Sequence, residues 1–208
     1  MNLKTENWGL SPYAESEQRQ SSLVDAIAKG LEEERLIICS HPSVVTLGKQ
    51  SSESDMAGWE GEVHKISRGG KATYHGPGQV VMYPLIHLQK RVGDLHKFLD
   101  HLERSMILTL KDYQIEAHGN LDRGNPDGTG VWVDGKKIAS IGIACRRWVT
   151  YHGLALNLYK DPKAFTGINP CGFDAQIMTS LEELLDQKVS REEFEIKLAS
   201  HLLNFLRQ

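Results

Sequence analysis

The chain has 208 residues, 40% of them hydrophobic and 25% charged, with a formal net charge of −3. That length and apolar share suit a single domain with a full core and exclude a disordered or fibrous chain. The acidic balance argues against nucleic-acid binding, no apolar run approaches the ~18 residues of a membrane span, and residues 1–22 lack the apolar stretch of a signal peptide.

In chain order, Val24, Ile27, Ala28 and Leu31 lie at helical spacing and predict a helix over residues 14–31 that ends near Gly30. Two short apolar runs split by Pro42, residues 35–39 and 43–46, predict strands, and residues 80–83 predict another that stops at Pro84. Leu95, Phe98, Leu99, Leu102, Met106 and Leu110 mark a second amphipathic helix over 94–112. Val131 to Val133, then Asp134-Gly135, then Lys136 to Ile143 predicts a β-hairpin with a type I′ turn. Simple alternation along its second strand puts Lys137, Ala139, Ile141 and Ile143 on one face, where Lys137 reads as a strand-end lysine with its amine in water. Residues 151–158 predict a further strand. Ser190-x-x-Glu193 is a capping box ahead of a stripe of Phe194, Leu198, Leu202 and Phe205. Helices and strands interleave throughout, so the expected fold class is α/β (α+β), one domain over residues 1–208 with a mixed β-sheet flanked by helices.

Charge is uneven along the chain. Residues 61–170 carry 15 basic and 10 acidic side chains, against 5 and 10 in residues 1–60 and 4 and 7 in residues 171–208. This is either ordinary fluctuation or a basic surface suited to an acidic protein partner.

The most unusual stretch is Arg68-Gly-Gly-Lys-Ala-Thr-Tyr-His-Gly-Pro-Gly-Gln79, a poor recipe for a helix or a regular strand and a dense set of hydrogen-bonding groups. It is not a phosphate loop: Gly48-Lys49 has Ser43 and Gln50 where that motif needs Gly and Ser or Thr, which disfavours an NTPase. The nine histidines include no H-E-x-x-H, so no metal site is expected. Ile138-Ala-Ser-Ile-Gly142 lacks the first glycine of a serine-nucleophile elbow.

Three cysteines without a C-x-x-C pair fit a reducing, cytosolic compartment. Cys39 ends an apolar strand and reads as core. Cys145, beside Arg146-Arg147, reads as a strand-end residue near a charged turn. Cys171, in Ile168-Asn-Pro-Cys-Gly172, sits in a turn, which leaves two readings open: a turn residue, or a nucleophile beside backbone N–H groups able to face an oxyanion. A free thiol of pKa ~8.5 needs a cationic or basic neighbour to react at pH 7.

Taken together and in order, several motifs resemble the octanoyltransferases of lipoate biosynthesis, the lipoyl(octanoyl) transferase family. They are His41-Pro42 with Thr46-Leu-Gly48, the 68–79 loop, Lys137-Ile-Ala-Ser-Ile-Gly142, His152-Gly-Leu-Ala-Leu-Asn157, Ile168-Asn-Pro-Cys-Gly172 and Met178-Thr-Ser-Leu181. The resemblance covers roughly residues 35–185 and implies the fold of the biotinyl/lipoyl protein ligase catalytic domain. It implies that Cys171 is the nucleophile and Lys137 its acid/base partner and thiol activator. It places the acyl pocket on Arg68, Gly69, Gly70, Lys71, Ala72, Thr73, Tyr74 and His75, on Ser140, Ile141 and Gly142, and on Gly153, Leu154 and Ala155. Lys71 departs from the family, which often has an acidic residue or Gln there; it adds positive charge beside the loop and is expected to tune partner docking.

The implied reaction moves an octanoyl (or lipoyl) group from acyl carrier protein to a lysine of lipoyl domains, those of 2-oxo-acid dehydrogenases and the glycine cleavage H protein. It proceeds through a Cys171 thioester and needs no cofactor beyond the donor's own phosphopantetheine. The alternatives are an ATP-dependent lipoate–protein ligase and a non-catalytic acyl- or carrier-binding module.

Overall fold

The computed structural model describes residues 3–122 and 125–207; the side chains of Pro126 and Cys171 lie outside the described set. Within it the chain forms a six-stranded mixed sheet, a separate three-stranded sheet and five α-helices. The mixed sheet flanked by helices is as expected; the small sheet beside it is an addition.

The large sheet runs in the order β1 (Lys4–Leu10), β2 (Arg35–Ser40), β6 (Gln79–Leu85), β9 (Val149–Asn157), β8 (Lys136–Arg146) and β7 (Gly130–Val133). β1 and β2 are parallel and all other neighbours antiparallel. The small sheet places β3 (Val44–Leu47) between β4 (Glu62–Lys65) and β5 (Ala72–His75).

Period-two alternation sorts the central strands onto two buried faces. Leu36 and Ile38 on β2, Val80 and Met82 on β6, and Leu154 and Leu156 on β9 meet Phe98, Leu102 and Met106 of α3 (Leu95–Lys111) and Phe194, Leu198 and Leu202 of α5 (Arg191–Leu206). Ile37, Cys39, Val81, Tyr83 and Ala155 turn the other way, onto Val24 and Ile27 of α1 (Tyr13–Ala28). Cys39 is thus a core residue, and Cys145 is exposed.

Helix ends follow their caps. Asp94 accepts from the Lys97 N–H to start α3, and Ser190 accepts from the Glu193 N–H to start α5. α1 stops at Ala28 and Gly30 takes a positive φ, so Leu31 leaves the helix and is exposed, contrary to the spacing argument. The predicted type I′ turn is present, with φ of 47° at Asp134 and 76° at Gly135.

Three strands were not expected. β1 is a mostly exposed edge strand with no apolar alternation, and β4 is short and polar. β5 lies inside the glycine-rich stretch, where all four residues are buried. β6 also continues through Pro84, which lies beyond the last pair that β6 makes with β9, Met82–Leu154, so β9 asks no N–H of it. Among the described residues no helix is long and apolar enough to cross a membrane.

Candidate active site

The glycine loop is held by one cation. The Arg68 guanidinium donates to the Thr46 carbonyl and hydroxyl (2.8 and 2.9 Å), the Lys71 carbonyl (2.8 Å) and the Gly69 carbonyl (3.0 Å). A planar fork of five N–H groups can satisfy several fixed oxygens at once, which a lysine ammonium at this position does less well. From this anchor β5 leaves with strict alternation. Thr73 and His75 face the cleft, while Ala72 and Tyr74 pack with Val45, Phe165 and Ile168 beneath the small sheet.

The opposite wall comes from the centre of the large sheet, where Ser140 pairs with Ala155, Ile141 with Leu154 and Gly142 with Gly153. Gly142 lets the Arg68 side chain lie directly against the sheet. A Cβ on Gly142 would stand 2.7 Å from Arg68 Cδ.

Tyr13, Tyr83 and His152 complete the lining. His41, packed behind them, donates from Nδ1 to the Ser11 carbonyl (2.7 Å), so its Nε2 accepts from the Tyr83 hydroxyl (2.7 Å). His152 lies 3.5 Å from the Tyr13 hydroxyl and takes a φ of 58° inside a strand, an unusual conformation for a residue with a Cβ. Burial, and then the Arg68 charge, lower its pKa to about 3. His75 is held well below the ordinary imidazole range, first by burial and then by the charges of His41 and Arg68. The cleft therefore presents neutral imidazoles beside the Arg68 cation.

Lys137 is wholly buried, not a strand-end lysine with its amine in water. A β-bulge decides which face of β8 it takes. Between the pairs Val131–Ala139 and Trp132–Lys137, Ile138 is an extra residue on β8, and it shifts the alternation by one. Lys137 then no longer shares a face with Ala139 and Ile141. Its Nζ donates to the Asp127 carbonyl (3.1 Å) and stands 5.3 Å from the Trp132 ring centroid and 5.8 Å from that of Phe173.

Phe173 directly follows the 3-10 turn Pro170–Gly172, so the segment bearing Cys171 folds against Lys137; the Cys171 side chain itself is outside the described residues. Asn169 fixes this turn by donating from Nδ2 to the Ser54 carbonyl (2.8 Å) and from N to the Asp55 carbonyl (2.9 Å). A polar chain links the distant motifs. The Gln79 amide donates to Asn157 Oδ1 (2.9 Å), Asn157 donates to the Thr179 carbonyl (2.9 Å), and the Thr179 N–H donates to the Lys137 carbonyl (3.1 Å).

Of the pocket residues named from sequence, Arg68, Gly70, Lys71, Thr73, His75, Ser140, Ile141, Gly142, Gly153, Leu154 and Ala155 line one cleft. Gly69, Ala72 and Tyr74 do not: Gly69 binds the β8 backbone through its N–H to the Ile143 carbonyl (3.2 Å), and the other two face away. Tyr13, Tyr83, Asp127, Thr129 and His152 line the cleft without having been assigned to it. Among the described residues no group of three or more His, Cys, Asp or Glu side chains is placed to hold a metal ion.

The family model of the lipoyl protein ligase A/B catalytic domain matches residues 12–203. An octanoyltransferase of Bdellovibrio bacteriovorus is 39% identical over 213 residues, 97% of each chain. One from Geotalea uraniireducens is 39% identical over 198 residues, 95% of this chain and 90% of the relative. Among solved structures, a lipoate-protein ligase A bound with ATP superposes with a TM-score of 0.74 at 15% identity, covering 99% of this chain and 85% of that one. The biotin protein ligase of Aquifex aeolicus in complex with biotin and ATP gives 0.59 at 12% identity, covering 99% and 70%. At these identities the two structures share a fold with this chain, the one its motifs imply.

Proposed function

Since this chain belongs to the lipoyl protein ligase A/B catalytic-domain family and is an acyltransferase, we propose that it is an octanoyltransferase that acylates lipoyl domains from octanoyl-acyl carrier protein through Cys171 and Lys137. The observation that carries the reading is the burial of Lys137 against Phe173, two residues beyond Cys171, at the edge of the cleft.

In the first step the Cys171 thiolate attacks the donor's thioester carbonyl. The bond to the phosphopantetheine sulfur breaks, that sulfur leaves as a thiol with the proton that Lys137 took from Cys171, and the acyl group remains on Cys171 as a new thioester. One thioester replaces another, so no nucleotide or resident cofactor is required. The acyl chain lies in the cleft between the glycine loop and residues 140–142 and 153–155 of the large sheet.

In the second step a lysine amine of the lipoyl domain attacks the Cys171 thioester. The amide forms and the cysteine sulfur leaves. The acceptor lysine, of ordinary pKa ~10.4, is less than about 0.1% neutral at pH 7. Lys137 or the departing thiolate takes its proton. Thioester to amide is downhill, and a covalent intermediate gives ping-pong kinetics. Acceptors are the lipoyl domains of 2-oxo-acid dehydrogenases and the glycine cleavage H protein, in a reducing compartment such as the cytosol, where the thiol persists.

The test is mass spectrometry after incubation with octanoyl-acyl carrier protein alone, and separately with free octanoate and ATP. One octanoyl group on Cys171 from the carrier, independent of ATP, supports the reading. Acylation only with octanoate and ATP, or a label on Cys145, overturns it in favour of a ligase or an incidental thiol.

A further inference from the structure

Asp127 touches both lysines of the cleft. Its carboxylate lies 2.7 Å from Lys71 Nζ, and its backbone carbonyl accepts from Lys137 Nζ at 3.1 Å. It sits on the short 3-10 turn Pro126–Gly128, which is also held by the Trp132 indole N–H donating to the Gly128 carbonyl (2.8 Å) and by the Asp127 N–H donating to Asn125 Oδ1 (3.1 Å). A carbonyl aims at an ammonium only as well as its peptide plane is fixed, and a turn this short is fixed by what its side chains hold.

Lys71 also borders the turn of Cys171. Gly172 has a φ of 79°, and a Cβ built there would stand 2.8 Å from Lys71 Nζ and 3.3 Å from its Cδ. The Lys71–Asp127 pair therefore ties together the glycine loop, the 126–128 turn and the 170–172 turn. Lys71 is thus paired within the cleft.

We propose that Asp127 is a positioning residue: its ion pair with Lys71 sets the plane of the Asp127 carbonyl, which in turn aims the Lys137 amine toward the turn bearing Cys171. The proposal rests on the reading of Lys137 as a catalytic group. It assigns Lys71, the loop's departure from the family pattern, and Asp127, which no motif marks, to one device. In this arrangement the side chains act on orientation and not on acyl-chain binding, so their loss falls on kcat and not on KM.

The test uses Lys71→Gln, Asp127→Asn, the double variant and the charge-reversed pair Lys71→Glu/Asp127→Lys in the full chain. Each single substitution is expected to lower kcat for octanoyl transfer about tenfold with KM for the acyl-carrier donor changed less than twofold. The double variant should be no slower than the singles, and the reversed pair should recover most of the loss. Losses that multiply in the double, losses carried by KM, or a reversed pair as slow as the singles would overturn the proposal.

A second readout does not depend on activity. Acetic anhydride labelling of Lys137, followed by peptide mass spectrometry and normalised to an exposed lysine, should change at least threefold in both single variants and return in the reversed pair. Unchanged labelling contradicts the proposal. Full transfer activity in Lys137→Met would instead overturn the catalytic reading of Lys137 and leave the labelling to decide the positioning claim.

Discussion

The Arg68 guanidinium donates to both oxygens that Thr46 offers, the carbonyl at 2.8 Å and the hydroxyl at 2.9 Å. These two bonds join the glycine loop to β3, and the same cation adds to the effect of burial in lowering the pKa of His75 and His152. The loop is therefore a part of the small sheet, rigid where the substrate would meet it.

Arg68→Lys keeps the charge but replaces a planar fork with a compact ammonium, which cannot serve all four oxygens. We expect a loss of about 2 kcal/mol in urea unfolding, in the range for charge-assisted hydrogen bonds. Octanoyl transfer should fall more than tenfold. Wild-type stability in this variant would show that the fork geometry does not hold the loop.

Gly153 is required by packing. A Cβ there would overlap the Met82 carbonyl oxygen and stand 2.9 Å from Pro84 Cδ, in the centre of the large sheet. Neither group can move without disturbing β6. Gly153→Ala should destabilise the chain by at least about 2 kcal/mol in urea unfolding, with poor yield of folded protein.

Among the described residues the buried Lys137 amine meets the Asp127 carbonyl and the rings of Trp132 and Phe173, an expensive position for a charge. Lys137→Met has similar length and no charge to desolvate. Thermal unfolding should show stability unchanged or raised by about 1 kcal/mol, while transfer activity falls at least a hundredfold. A marked loss of stability would assign Lys137 a structural role.

His152 makes stability depend on pH. Its folded pKa of about 3 lies below the ordinary imidazole value of ~6.5. Between these values the unfolded chain binds a proton that the folded chain does not, so stability is full above pH ~6.5 and is lost as pH falls toward 3. The slope from this group is at most about 1.4 kcal/mol per pH unit. His152→Asn, which tolerates the positive φ, should flatten the decline in urea unfolding between pH 6.5 and 4.5. An unchanged slope would mean that His152 already carries its proton in the folded chain.

Much of this was legible where a local rule held. Ser190 announces its helix as a cap, and Asp134-Gly135 announces its hairpin. The two sides of the cleft at Ser140 to Gly142 and Gly153 to Ala155 were legible through motif resemblance, and they prove to be directly paired across β8 and β9.

What could not be read is non-local. β5 has no apolar period of its own, because both of its faces are buried by different partners. The face that Lys137 takes depends on the single-residue bulge at Ile138, which leaves no mark in the spacing, and its burial on distant neighbours such as Phe173. Tyr13 and Tyr83 reach the cleft from α1 and from the face of β6 that packs on it, and in sequence they look like ordinary core residues. Asp127 stands in a polar, turn-forming stretch where a carboxylate draws no notice. His152 was the nearest miss, since it opens a quoted motif one residue before the assigned Gly153.

The most direct test of the central claim is a single-turnover chase. The enzyme is first acylated with octanoyl-acyl carrier protein, freed of the donor, and mixed with a lipoyl domain in the absence of ATP while intact masses are followed. The account predicts that the octanoyl group leaves Cys171 and appears on one lysine of the lipoyl domain at a rate no slower than steady-state turnover. An acyl-enzyme that keeps its label, or passes it on more slowly than turnover, would contradict a Cys171 thioester as the intermediate.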